Sequence, residues 1–308
     1  MGRLVEALNA CWLPHAEAAA AAAAATDTGA AAGPGPTGPI TLADFKRDIR
    51  ERHVWCSSCM IAFEGTAPIG VMIGAKRPTE TLVDRIAVRP DRMRLGHGRH
   101  MLDSLGAKVA ILGPPRIVAE IPDDLPRAAA FFTACGFALA GSLTDWVLDD
   151  VGALPPAGSA TAGDVDETFA VPVTVADLVA NRLLADLPGI GWDRETATLV
   201  ARGGILQGIG LATVDRIEAF VLFRPTAGGG SGATIDALGP APGGAPAETG
   251  PRREQVLHRL LALVLERVGS PLRFQRVAAG ELPLAWTRSP GLRAAAVSHR
   301  FTATARVG

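Results

Sequence analysis

Apolar and polar positions recur along the chain in two periods, and their succession predicts the elements. Leu4, Leu8 and Trp12 repeat every four residues, so residues 2–12 read as a short helix. The alanine run 18–25 extends it, and residues 26–39, rich in Gly, Ala and Pro, complete a flexible segment over 18–40. Thr41 as a cap and Asp44 in the first turn open a helix to about Glu51. Residues 54–63 and 69–75 predict a hairpin turning at Glu64-Gly65. Residues 82–88 predict a strand. Residues 98–112 predict a helix with Met101, Leu105, Val109 and Leu112 as its apolar stripe. A strand at 116–121 and a helix at 128–135, stopped by Gly136, follow. Two short strands, 137–140 and 145–148, close the set. This order predicts an α/β domain, α+β by sheet type, with a mixed, mainly antiparallel sheet flanked by helices.

The pattern then repeats. Residues 1–150 form the first domain, and 151–165, with Leu-Pro-Pro-Ala-Gly-Ser at their centre, read as a linker. In 166–308 a second hairpin (205–213 and 217–223) ends at Arg224-Pro225 as the first ends at Arg77-Pro78. The stretch 233–242 lies over 81–90, with Asp236 upon Asp84 and Pro242 upon Pro90. A helix at 252–268 and a strand at 272–277 come next. Gly291-Leu292 stands where Gly136-Phe137 stood. Gly136 follows Asp84 by 52 positions and Gly291 follows Asp236 by 55. Matching order and spacing predict a tandem pair of domains.

Composition narrows the function. With 308 residues, 48% hydrophobic and 20% charged, the chain has ample core for two globular domains. A net charge of −1 excludes a general nucleic-acid binder. The alanine run is too short and too weakly apolar to span a membrane, and it follows His15 and Glu17 rather than a basic leader. A cytoplasmic protein is expected. Cys56 and Cys59 lie within a strand-like run with no second Cys/His pair near them, so they read as structural cysteines, and no metal is expected.

Chemistry concentrates at residues 84–102. A short strand runs into the basic turn Arg92-Met93-Arg94-Leu95-Gly96-His97-Gly98-Arg99 and then into a helix. Such a junction aims backbone N–H groups and the positive end of a helix dipole into one concavity, which suits a phosphate. In the second half the corresponding loop holds Glu248 and two prolines, so that domain is expected to bind no such ligand.

Val88-Arg89-Pro90, then Met93-Arg94-Leu95-Gly96-His97-Gly98, and Phe132 four residues before Gly136-Phe137 together resemble the GNAT acyl-CoA-dependent N-acyltransferases. The resemblance covers residues 40–150, and the second half looks like a degenerate copy. It departs from the pattern at Met93, where Gln or Arg is usual, and at Phe132, a tyrosine in many members. The usual first strand has no counterpart before Gly2. By resemblance, Ile86, Ala87 and Val88 would meet pantetheine through their backbones. Arg94, Leu95, Gly96, His97, Gly98 and Arg99 would cradle the pyrophosphate of acetyl-CoA, and Phe132 would pack beside the thioester. A strand N–H would stabilise the oxyanion as a primary amine attacks.

Asp84 and Glu120 are the candidates for the base that such an attack needs. With Asp123 and Asp124 they would also suit a cationic amine, either a small molecule or a peptide. A monomer or a homodimer is expected. Two other readings stay open: a non-catalytic acyl-CoA sensor, and a nucleotide-binding α/β protein. Against the second, no Lys-Ser/Thr follows the glycines, and Met101 takes the third position of a G-x-G-x-x-G.

Overall fold

A computed structural model of the chain describes residues 1–25, 38–155, 168–240 and 251–305. The predicted loop at 26–37, most of the linker and the loop at 241–250 lie outside these residues. The chain divides into two compact units, Met1–Gly141 with Ser298–Gly308, and Ser142–Val297. This departs from a simple division near residue 150, because the last strand returns to the first unit.

In the first unit, α1 (Gly2–Ala7), a π-helical turn (Leu8–Trp12) and α2 (Leu13–Ala25) run on from one another. Leu8 and Cys11 are fully buried in a cluster with Phe45, Val71 and Ile73. Thr41 caps α3 (Leu42–Glu51) in a reciprocal box with Asp44. The sheet then builds from β1 (Met60–Glu64), β2 (Ala67–Lys76) and β3 (Thr81–Val88) as an antiparallel meander. α4 (His97–Leu112) leads to β4 (Arg116–Pro122), and α5 (Pro126–Ala134) to β5 (Ala138–Leu148). Met101, Leu105 and Val109 of α4 pack on Val83, Ile117 and Ala119 as their spacing predicts, while Leu112, the fourth residue of that stripe, is exposed at the helix end. No strand pairs with the outer edge of β1 among the described residues.

Two stretches differ from the sequence expectation. Residues 54–59 form no strand beyond a single bridge at Val54: Cys56–Ser58 is a short helical turn lying over β2. A Cβ on Gly74 would meet the Ser58 Cβ at 2.5 Å, so only glycine admits that crossing. Cys59 is held there against the Gly74 carbonyl, and burial pushes its thiol up to about 11. The stretches 137–140 and 145–148 are one strand, β5, rather than two.

In the second unit β6 (Phe169–Pro172) precedes α6 (Val175–Ala180), which Thr174 and Asp177 cap as Thr41 and Asp44 cap α3. A short turn at Trp192–Arg194 and α7 (Thr196–Ala201) lead to β7 (Gln207–Ala212), β8 (Ile217–Pro225) and β9 (Ala233–Pro240). α8 (Pro251–Val268), β10 (Leu272–Ala278), α9 (Leu284–Thr287) and β11 (Leu292–Thr304) complete the chain. Strands β6 to β9 form an antiparallel meander, β9 and β10 are parallel, and residues 143–148 of β5 flank β10. Residues 298–304 of β11 pair with β4 in the first unit.

Candidate functional site

Each unit contains one parallel strand pair that opens. In the first, β3 and β4 pair only at Thr81 with Ile117 and Leu82 with Val118. Beyond that the ladder stops, while β3 stays paired to β2 and β4 to β11 on their other sides. The cause is a bulge. Ile73 faces Arg85 and Gly74 faces Val83, so Asp84 has no partner on β2 and the edge of β3 turns away from β4.

The register fixes which backbone groups line the opening. Arg89 donates its N–H to the Ile69 carbonyl at 2.9 Å, so Arg89 and Ile69 form a hydrogen-bonded pair. Alternation then turns the N–H and C=O of Ile86 and Val88 to the open side, and those of Ala87 toward Val71. Ala87 is therefore spent on the β2 ladder, unlike the expectation that all three residues meet a ligand. The Val88 carbonyl lies 2.8 Å from Nε2 of His15, a residue that sequence reading did not single out. Nothing in the local spacing marks His15, which lies in the first turn of α2.

At the mouth, β3 runs through the turn Pro90–Arg92 into α4. Gly96 is the N-cap at φ +86° with open space around it, a conformation that favours glycine, and no side chain caps the helix. The first-turn N–H groups from His97 onward are thus left to a ligand or water. Gly98 has a different reason to be glycine: a Cβ there would meet the Phe131 ring at 3.1 Å. Its missing Cβ makes room for that ring, while its N–H stays among the uncapped first-turn donors.

The arginines also divide. Arg92 pairs with Glu64 at 2.7 Å, Arg89 with Asp91 at 2.6 Å, and Arg99 reaches the Ala134 carbonyl at the end of α5. Its hydrogen bond to Arg89 holds Asp91 below the usual carboxylate range. Arg94, exposed and with φ +64°, makes no hydrogen bond or ion pair among the described residues. Leu95 beside it is exposed.

Asp84 sits at the bulge with its side chain only 3% exposed. Arg52, just past α3, donates to Oδ1 at 2.7 Å. Oδ2 is buried without a hydrogen-bond partner, and Arg85 Nε lies 3.7 Å from it. Glu120 differs. Arg300 of β11 donates to it at 2.9 Å and also binds Glu80, so Glu120 belongs to a buried ion cluster that ties β4 to β11. Asp123 is paired with His299 at 2.8 Å. Phe132, 2% exposed, lies edge-on to Phe131 and Phe137 inside the core. Among the described residues no group of His, Cys, Asp or Glu is arranged to hold a metal ion, and no helix is long and apolar enough to cross a membrane.

The second unit repeats this geometry. β9 and β10 pair from Ala233 with Leu272 to Ile235 with Phe274 and then part, and the bulge residue is Asp236. Arg202, just past α7, lies 3.5 Å from Asp236 as Arg52 lies beside Asp84. Arg224 adds a bidentate pair at 2.8 and 2.9 Å, so both oxygens of Asp236 are engaged. The position of Arg224 in this register is Ala75 in the first unit.

Residues 30–137 match the model of the acetyltransferase (GNAT) family. Over those residues the chain is similar to that family's acetyltransferase domain. Among solved structures, a tandem GNAT protein from the clavulanic acid biosynthesis pathway is similar over 99% of this chain and 94% of its own, at TM-score 0.60 and 16% identity. A GCN5-related N-acetyltransferase from Sphaerobacter thermophilus is similar over 79% of each chain, at TM-score 0.52 and 14% identity. A conserved protein of unknown function from Enterococcus faecalis V583, described as a probable N-acyltransferase, is similar over 88% of this chain and 67% of its own, at TM-score 0.58 and 11% identity. At these identities the likeness is one of fold: two GNAT-like units in tandem. No curated protein matches the chain.

Proposed function

We propose that the first GNAT unit is an N-acyltransferase that moves an acetyl group from acetyl-CoA to a primary amine by direct attack in a ternary complex. The observation that carries this reading is the open edge of β3, where Ile86 presents a backbone donor and acceptor and Val88 a donor to a gap ending at an uncapped helix. That edge fits an extended amide chain, and the helix end with Arg94 fits its phosphates. The coenzyme supplies the activated thioester.

The chain's own groups do the rest. Ile86 and Val88 align the pantetheine arm as an added strand, and a strand N–H at the opening receives the developing oxyanion. The amides of the first turn of α4 and the Arg94 guanidinium hold the pyrophosphate. Asp84, anchored through Oδ1 by Arg52, accepts the amine proton at Oδ2. We assign Glu120 to the ion cluster and not to proton transfer, because its oxygen is taken by Arg300. Phe132 has no proton to give, so the leaving thiolate takes one from solvent. The four cysteines are free, in keeping with a reducing, cytoplasmic setting. One observation, the hydroxyl missing at Phe132, favours a second reading in which the unit binds acyl-CoA without turnover.

Calorimetric titration with acetyl-CoA, beside an Arg94→Glu/Gly96→Glu variant, tests the site. One coenzyme per chain, lost in the variant, supports it; no binding by the folded wild type refutes it. Release of free thiol from acetyl-CoA on adding a panel of primary amines then separates transferase from sensor.

A further inference from the structure

The second opening is not empty. Arg194, in the turn Trp192–Arg194, is 4% exposed and enters between the parting strands. Its Nη1 donates to the Ile235 carbonyl of β9 at 3.0 Å and, more loosely, to the Gln275 carbonyl of β10 at 3.5 Å. Its Nε donates at 2.7 Å to Glu281, itself buried, whose other oxygen accepts the Ala278 N–H. The approach is close: a Cβ on Gly191 would lie 2.8 Å from the Arg276 carbonyl oxygen.

The register explains why these acceptors are available. Thr226 donates to Gly232 at 3.0 Å, and alternation from there turns the Ile235 carbonyl away from β8. On β10 the ladder to β5 is interrupted between Phe274 and Val277, which leaves Gln275 outside it. Asp145 takes the Arg276 N–H in that gap. Two strand carbonyls and one buried carboxylate thus converge on a single planar cation.

We propose that the open strand pair of the second unit is a guanidinium receptor whose ligand is the chain's own Arg194. The side chain crosses the angle between the strands and gives their stranded carbonyls a donor. The second unit therefore holds its parted strands without any coenzyme. The binding groups are backbone carbonyls and Glu281, so the receptor outlasts removal of the arginine and takes a free guanidine in its place.

The test is chemical rescue, read as thermal melting of the full chain without coenzyme. Arg194→Ala leaves the Glu281 charge buried without its cation, and the melting temperature is expected to fall by roughly 10 °C. Millimolar methylguanidine is expected to restore most of that loss, by binding the native state alone. Methylammonium, with no planar fork, should not. Wild type and the Arg194→Ala/Glu281→Gln variant, one with the receptor filled and one lacking its anchor, should not respond either. If Arg194→Ala is unfolded outright, the readout becomes the folded fraction on dilution from urea with and without methylguanidine. Failure of methylguanidine to restore Arg194→Ala in either assay would overturn the proposal. So would an equal response in wild type or in the double variant.

Discussion

The two units share a bent strand after a bulged aspartate, an arginine behind that aspartate, and a parallel neighbour that drops away. They differ in what meets the consequences of the bend. In the second unit Arg224 and Arg202 engage both oxygens of Asp236, and Arg194 occupies the angle between the strands. In the first, Ala75 stands where Arg224 would, Asp84 keeps one oxygen unpartnered, and Ile86 and the Val88 N–H face an open edge while His15 meets the Val88 carbonyl. A buried polar atom left unpaired is costly, so a fold that satisfies it in one copy and not in the other marks the second case as a place for a ligand.

The comparison is most sharply broken by exchanging the aspartates for asparagine. If Asp84 takes the amine proton, Asp84→Asn lowers kcat/KM by about a hundredfold. The deficit should shrink as pH rises and the amine sheds its own proton. Asp236→Asn should leave kcat/KM unchanged while lowering the melting temperature. Equal kinetic losses in both variants would mean that the aspartates are merely structural. Next in size, Arg94→Glu should weaken acetyl-CoA binding by about tenfold or more, since it reverses a charge at a helix N-terminus. The same titration should weaken at high salt.

A smaller effect comes through pH. Burial, and then the charge of Arg77, hold His53 below the usual histidine range. A base whose folded pKa is depressed binds fewer protons in the native state. Its contribution to stability is therefore complete above about pH 6.5 and is lost as pH falls from there toward the lower, folded value. His53→Gln should flatten that acid limb of a stability profile. The smallest effects should be matched ones: Thr41→Ala and Thr174→Ala remove equivalent helix caps, each costing about 1 kcal/mol in denaturant titrations. Unequal losses there would show that the two units have diverged beyond their strand openings.

Much of this was legible in the sequence because it rests on local chemistry. The cap at Thr41, the apolar stripe of α4, the stop at Gly136 and the overlay of Asp236 on Asp84 all depend on residues near one another in the chain. The residues that decide the site do not. Arg52, Ala75, Arg194 and His15 meet their partners across long loops or across the sheet, and no spacing announces them. Single-sequence reading also could not separate two kinds of glycine. Gly96 is needed for its backbone angle and Gly98 for the ring of Phe131, yet both read simply as members of a G-x-G. The strand expected over Cys56 and Cys59 failed for a related reason: Ser58 crosses directly over Gly74, far along the chain, and the backbone turns there instead of pairing.

The return of β11 to the first unit has a consequence in time. A ribosome delivers β4 long before the strand that flanks it, and Arg300 comes with that strand. At about 5–20 residues per second, the wait is on the order of ten to thirty seconds. Through that interval Glu80 and Glu120 lack the cation that joins them, and one edge of β4 stands open to any passing strand. Newborn chains are thus most exposed to mispairing while the second unit is being made, and the arrival of β11 then seals the first.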